Sequence, residues 1–228
     1  RNASFDITCK NPFIAMFMVG IGFKLGGKGQ IGKILQVIIP RLLLSTGASQ
    51  FPFFDQFVKE DVDWSKVEMF HLDEYVDLTI THKASFRKYL KERFEAKVGT
   101  LKEAVYVNGE GDVAANIAYI TKRVTEAPID VGVIGIGENG HIAFNEPGTS
   151  LNSRTSVVYL TPSTVKDNAR LFFNGDMDKV PKSALSMGVG TICEAKKIIM
   201  LAFGENKQDA IKGCVEGPMS QFCTASAL

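Results

Sequence analysis

The sequence predicts an α/β fold of the open, doubly wound kind, a mostly parallel sheet with helices on both faces. Three observations carry that expectation. Apolar runs of strand length alternate with segments whose apolar residues recur at helical spacing, and the connections between them are short. One run, Asp130 to Ile136 (DVGVIGI), has the unbroken apolar character of a parallel strand buried on both faces.

Taken in order, the first forty residues fit this scheme least. The longest apolar run, Pro12 to Phe23, is about half of what a bilayer crossing needs and is interrupted by Gly20 and Gly22. No small-residue cleavage site follows it, so it is not read as an export signal. The triplet Asn2-Ala3-Ser4 matches a glycosylation acceptor, which without an export signal carries no weight. Residues 21 to 40 are glycine-rich and match poorly the long amphipathic helix such a fold would place there.

From Arg41 the pattern is regular. Arg41 to Leu44 reads as a strand entering the loop Ser45 to Gln50, after which Phe53, Phe54, Phe57 and Val58 fall at helical spacing. Val67 to Leu72 is a second buried strand, and Ser85 is placed to cap a helix carrying Phe86, Leu90 and Phe94. Ala104 to Val107 is a short strand, followed by a helix from about Asp112 with Val113, Ile117, Ile120 and Val124 on one face. After the run 130 to 136, Thr155 to Leu160 is β-rich and Ser163 is expected to cap a helix toward Phe173. Lys197 to Phe203 is a further buried strand and Lys207 to Val215 a helix. No repeat or low-complexity linker divides the chain, so residues 1–228 are expected to form a single Rossmann-like domain.

Composition narrows the function. With 228 residues, 45% of them hydrophobic, the chain can bury a sizeable core. A balance of 26 Lys+Arg against 25 Asp+Glu argues against a general nucleic-acid or membrane-surface binder, while a local phosphate site stays open. Cys9, Cys193, Cys214 and Cys223 include no CxxC pair, so neither a disulfide scaffold nor a zinc site is indicated, and a cytoplasmic setting is expected.

In open α/β sheets ligands bind beyond the carboxyl ends of the strands, which directs attention to four polar or glycine-rich segments: 45–50, 73–75, 137–148 and 204–207. Gly135-Ile136-Gly137-Glu138-Asn139-Gly140 matches the dinucleotide fingerprint GxGxxG. However, no helix opens after Gly140, no acidic residue lies in Val157 to Leu160, and the motif comes late in the sheet, so a dinucleotide is not expected. His141 alone reads as a structural loop histidine. Asn139, Asn145 and Glu146 crowd the same strand-end loop, which makes it a candidate general acid with orienting partners. The spacing of His141 and Glu146 does not suit a helical metal pair.

Asp73-Glu74 reads either as a solvated acidic turn or as a strand-end carboxylate facing the same cleft. The loop Thr46, Gly47, Ala48, Ser49 offers hydroxyls and N–H groups at a helix start, suited to a phosphate. Arg170 and Lys207 are candidate neutralising charges, although each taken singly is more often surface. Cys214 and Cys223 are most simply core residues.

LDEY at 72–75, HKASFRKYL at 82–90, GIGENGHIAFNEPGTS at 135–150, SRT at 153–155 and VPKSALSMGVGTI at 180–192 together resemble the glucosamine-6-phosphate deaminase family. The resemblance runs from about Leu42 to Leu228. The related 6-phosphogluconolactonases share the fold and the GxxGH start but differ where this chain has Phe144-Asn145-Glu146-Pro147. It implies conversion of glucosamine 6-phosphate to fructose 6-phosphate and ammonia, with no organic cofactor and no catalytic metal. Asp73 would shuttle a proton between C2 and C1, His141 would assist ring opening, and Glu146 would orient it. The phosphate would lie on Thr46, Gly47, Ala48 and Ser49 with Arg170 and Lys207.

Four features depart from the family pattern. Asn139 stands where some members carry an aspartate as third partner of the histidine, and Gln50 replaces a proline of the phosphate loop. Ser156 and Val158 hold positions that are basic in allosterically activated hexamers, which argues against activation by N-acetylglucosamine 6-phosphate. The chain also starts at Arg1 and stops at Ala227-Leu228, where the family would continue, so truncation at both ends is expected. A galactosamine-6-phosphate deaminase, a 6-phosphogluconolactonase-like hydrolase and a non-catalytic sugar-phosphate sensor are the alternatives, and homo-oligomerisation is left open.

Overall fold

The structure is a computed structural model that describes residues 14–19 and 40–228. The glycine-rich stretch at 21–39, the triplet at 2–4 and Cys9 lie outside the described residues. Nine strands are described: β1 (Ile14–Val19), β2 (Arg41–Leu44), β3 (Glu68–His71), β4 (Asp73–Tyr75), β5 (Glu103–Val105), β6 (Val131–Gly135), β7 (Ser156–Tyr159), β8 (Ser183–Ser186) and β9 (Ile198–Phe203). The main helices are α1 (Phe51–Phe57), α2 (Phe86–Leu90, continued by a π turn Lys91–Glu95), α3 (Val113–Thr125), α4 (Pro162–Phe172), α5 (Val189–Cys193) and α6 (Gln208–Val215).

Six strands form an all-parallel sheet in the order β1-β9-β6-β2-β3-β5. Alternation of side chains sorts its residues onto two faces. Leu42, Leu44, Met69, Val131, Val133, Ile199 and Leu201 meet Phe53, Phe54 and Phe57 of α1 together with Leu90 and Phe94. Leu43, Phe70, Ile134, Ile198, Met200 and Ala202 face the other way, against Ile120 and Val124 of α3 and Ala210 and Ile211 of α6. Both faces are therefore covered, which is the expected doubly wound arrangement and the reason these strands read as continuous apolar runs.

β1 is a finding. Part of the apolar run at 12–23 pairs along β9, from Ile14↔Ile198 to Val19↔Phe203. An apolar run of this length does not by its pattern distinguish an edge strand from a buried helix segment.

The segment 73–75, expected as a strand-end loop, is instead a strand. β4 pairs with β8, and β8 with β7, in a separate three-stranded antiparallel sheet. Only Leu72 separates β3 from β4; its N–H donates to Leu44 O while its carbonyl accepts from Met187 N–H, so the chain passes from one sheet into the other without a turn. Tyr75, Phe86, Phe144, Val165, Ala169, Phe173 and Ala184 form the core beneath this small sheet.

The capping expectations held at Ser85, whose hydroxyl accepts from Lys88 N–H. Asp112 does the same for Ala115 N–H at the start of α3. At α4 the cap is Thr161 rather than Ser163: Thr161 has extended backbone and accepts from Thr164 N–H, and Pro162 occupies the first helical turn, where a missing N–H costs nothing. No helix among the described residues is long and apolar enough to cross a membrane.

Candidate active site

β2 and β6 are neighbours, yet the chain leaves β2 toward β3 on one side and β6 toward β9 on the other. This reversal opens a crevice at the carboxyl ends of the two strands. Three of the four segments singled out from the sequence follow β2, β6 and β9 and so rim it. The fourth, at 73–75, reaches the same end of the sheet as the first residues of β4.

After β6 the chain makes turns and a single Ile142↔Asn145 bridge, with no helix opening at Gly140. The fingerprint at 135–140 thus lacks the helix N-terminus that would receive a pyrophosphate. It serves another purpose. A Cβ on Gly137 would lie 2.4 to 2.6 Å from three atoms of the His141 imidazole, so the absent side chain is what lets the ring settle on the backbone. Gly137 N–H donates to His141 O at 2.8 Å and closes the loop around it.

His141 Nδ1 stands 3.5 Å from Glu146 Oε2, within ion-pair range and long for a hydrogen bond. Burial pushes the Glu146 carboxyl up, but His141, Thr164 and Asn139 outweigh it and bring the group down to about 2. Asn139 contributes in a way an aspartate could not. Its Nδ2 donates to Glu146 Oε2 at 2.9 Å while its Oδ1 accepts from His141 N–H at 3.2 Å. Its bonds therefore go to the carboxylate and the loop backbone and not to the imidazole ring.

Asp73 opens β4 and is 5% exposed. Burial, followed by the neighbouring Glu74 carboxylate, pushes its carboxyl up to about 8. Glu74 is fully buried and serves the fold. It accepts from Tyr75 N–H, from Ser85 Oγ at 2.7 Å, from Phe86 N–H and Arg87 N–H at the start of α2, and from Arg87 Nε at 3.2 Å. Both carboxylates are buried, so the solvated-turn reading of the pair does not hold. The link from Asp73 to the His141 loop runs through Ser186, its partner on β8, whose hydroxyl accepts from Phe144 N–H at 3.2 Å.

On the β2 side, Gly47 takes φ +108° and directs the chain into a 3-10 turn, Ala48–Gln50, ahead of α1. Ala48 is exposed, and Thr46, Gly47 and Ser49 are half-buried. Beneath this loop the Ser45 hydroxyl and both ends of the Gln50 amide are buried without a hydrogen-bond partner among the described residues. On the β9 side, Arg170 is exposed and pairs with Glu138 at 3.2 Å, and Asn206 donates to the same Glu138 oxygen. Burial lowers the Lys207 ammonium, Glu138 and Asp167 oppose that, and Arg170 adds to it. The structure thus groups Arg170 and Lys207 around Glu138. No ion pair or hydrogen bond joins either cation to residues 46–49 among the described residues.

Sequence reasoning missed Glu138, Ser186 and the C-terminal turn at 220–227, which braces the loop from below. Ser186 has a faint signal in the alternation of Ser183-Ala184-Leu185-Ser186, and Thr224 has none. No group of three or more His, Cys, Asp or Glu is placed to hold a metal ion among the described residues.

The fold is that of a doubly wound α/β protein, with the candidate site at the switch point of its sheet. Residues 38–226 match the family described as glucosamine-6-phosphate isomerases/6-phosphogluconolactonase, and the chain belongs to that family. It is 42% identical over 185 residues to the glucosamine-6-phosphate deaminase of Latilactobacillus sakei, covering 81% of this chain and 78% of that one. The enzyme of the same name from Listeria welshimeri is 46% identical over 186 residues at the same coverage. Among solved structures, a monomeric glucosamine-6-phosphate deaminase superposes with a TM-score of 0.78 at 33% identity, over 86% of each chain. A 6-phosphogluconolactonase from Shewanella baltica, 18% identical with a TM-score of 0.67 over 87% of this chain and 86% of that one, shares the fold.

Proposed function

We propose that this chain deaminates and isomerises glucosamine 6-phosphate to fructose 6-phosphate and ammonia. The observation that carries the reading is the His141–Glu146 pair on one loop with a buried Asp73 linked to it through Ser186. The relatives named above support the choice of substrate.

The reaction needs three proton movements. Ring opening requires an acid at the ring oxygen, the role of His141; Glu146, held down to about 2, stays ionised beside it. Asp73 then takes the proton from C2 of the open aldehyde, leaving an enolamine, and returns it to C1. C1 is reduced as C2 is oxidised, so no external redox partner enters. Water adds to the resulting C2 iminium and ammonia leaves, one water consumed for each ammonia released. A carboxyl that titrates near 8 suits both halves of the transfer, because neither protonation state is costly at neutral pH. Asn139 supports the pair by holding Glu146.

Thr46, Gly47, Ala48 and Ser49, with Arg170 and Lys207, would take the phosphate. Binding so far from C1 and C2 fixes the orientation of the sugar without touching the reacting atoms. Glu138 would have to share Arg170 with that phosphate. A sugar phosphate as small-molecule partner and a cytoplasmic setting belong to the same reading.

The test is ammonia release, coupled to a dehydrogenase, with glucosamine 6-phosphate and galactosamine 6-phosphate, beside hydrolysis of 6-phosphogluconolactone. Ammonia from the glucosamine substrate is the expected result. Its absence, or lactone hydrolysis as the main activity, overturns the assignment; sugar-phosphate binding without turnover would identify a sensor.

A further inference from the structure

We infer that Thr224 is a positioning residue for the His141–Glu146 pair, an inference that rests on the function proposed for that pair. Thr224 is fully buried. Its hydroxyl accepts from Ile142 N–H at 3.2 Å and donates to Asn145 O at 2.8 Å. Ile142 directly follows His141 and Asn145 directly precedes Glu146. One hydroxyl therefore ties together the two backbone groups that flank the pair, from a distance of 82 and 79 residues along the chain.

The turn it closes needs such a tie. Ala143 sits at φ +51°, a region a residue with a Cβ occupies only where its surroundings over-determine it. Asn145 adds bonds from its N–H and Nδ2 to Ile142 O, and from Nδ2 to Met187 O. The residues around Thr224 grip the same loop on either side. Ala225 N–H donates to Gly140 O at 3.0 Å, and Gly148 N–H donates to Gln221 O at 2.9 Å. Gly140 has φ +82°, and a Cβ there would meet Cys223 Sγ at 2.8 Å.

Among the described residues His141 Nδ1 has no hydrogen-bond partner at normal length, and Glu146 Oε2 stands 3.5 Å away, so the closure of the turn bears on how the two face each other. Threonine suits the position because its hydroxyl donates and accepts at once; valine has the same shape and does neither.

The experiment compares Thr224→Val with Thr224→Ser in the full chain. In Thr224→Val kcat for ammonia release falls on the order of 10- to 100-fold, as a displacement near 1 Å at a reacting group would produce, while KM stays within about twofold because the phosphate contacts are elsewhere. Thr224→Ser restores kcat. A second readout needs no substrate: in an imidazole 1H–15N correlation spectrum of the three histidines, the His141 signals move in Thr224→Val and not in Thr224→Ser, and those of His71 and His82 stay.

Unmoved His141 signals in Thr224→Val overturn the inference, as does an equal loss in Val and Ser variants. If Thr224→Val does not fold, the double variant Ala143→Gly/Thr224→Val removes the backbone strain and keeps the missing hydroxyl; displaced His141 signals support the inference and wild-type signals overturn it. A wild-type chain that releases no ammonia refutes the proposed function alone, since the spectrum still decides the role of Thr224.

Discussion

Asp73→Asn replaces a buried carboxyl by an amide of the same shape, so packing on β4 is kept and only the ability to carry a proton is lost. The structure gives two linked magnitudes. Moving this carboxyl from 3.8 to about 8 corresponds to a free energy of at most about 6 kcal/mol, which burial and the Glu74 carboxylate jointly produce. The sign follows from the raised value: the folded chain holds a proton that the unfolded chain has released. The stability from this group is complete below about pH 4 and is lost as pH rises through 8, at up to about 1.4 kcal/mol per pH unit.

Asparagine cannot ionise, so urea unfolding at pH 5, 7 and 9 should show the variant gaining on wild type as pH rises and exceeding it at pH 9. Ammonia release should fall by about 100-fold or more. Wild-type kcat/KM should climb as pH rises toward 8, because the carboxylate is the form that accepts the C2 proton. A stability difference independent of pH would show that Asp73 does not titrate in this window. Full activity of Asp73→Asn would remove it from the mechanism.

Gly137→Ala places a methyl group 2.4 Å from His141 Cε1 and should lower kcat sharply while the circular dichroism spectrum stays that of wild type; a fully active variant would show that the ring's seat on the backbone is dispensable. Among the described residues Glu74→Gln leaves Glu110 as the one carboxylate paired with Arg87 and should cost about 3–5 kcal/mol in urea unfolding. It should also move the rise of kcat/KM below pH 8, since one of the two causes that hold Asp73 up is gone. Glu146 is depressed from 4.5 to about 2, so its contribution is present above pH 4.5 and lost between 4.5 and 2; thermal unfolding of Glu146→Gln should lack that acid limb.

The central strands β2, β3, β6 and β9 could be read because each is a continuous apolar run, and the cap of α2 because Ser85 acts within three residues of itself. The antiparallel sheet could not be read. Asp73-Glu74-Tyr75 is three residues long with two carboxylates, and it is a strand only because β8, over a hundred residues later, supplies its partner. β1 failed for the related reason that an edge strand has no pattern of its own until β9 lies beside it. Thr161 and Ser163 are both good capping residues, and Pro162 between them fixed the helix start two positions before the expected one.

At the site, residue types and local spacing drew attention to Asn139, His141, Glu146 and the loop after β2, because glycines and polar side chains crowd strand ends where apolar residues would otherwise continue, while the choice of Asp73 over Glu74 came from the family resemblance. Roles were another matter. That Glu74 caps a helix while Asp73 is left to titrate, that Asn139 holds Glu146, and that Glu138 pairs with Arg170 and acts electrostatically on Lys207 were decided only when distant segments met. The sequence by itself determined the alternation of elements and the chemistry available at their ends, since periodicity and capping act over a few residues. Tertiary structure decided which carboxyl is buried and which amide faces which acid, because desolvation and hydrogen bonding depend on neighbours in space.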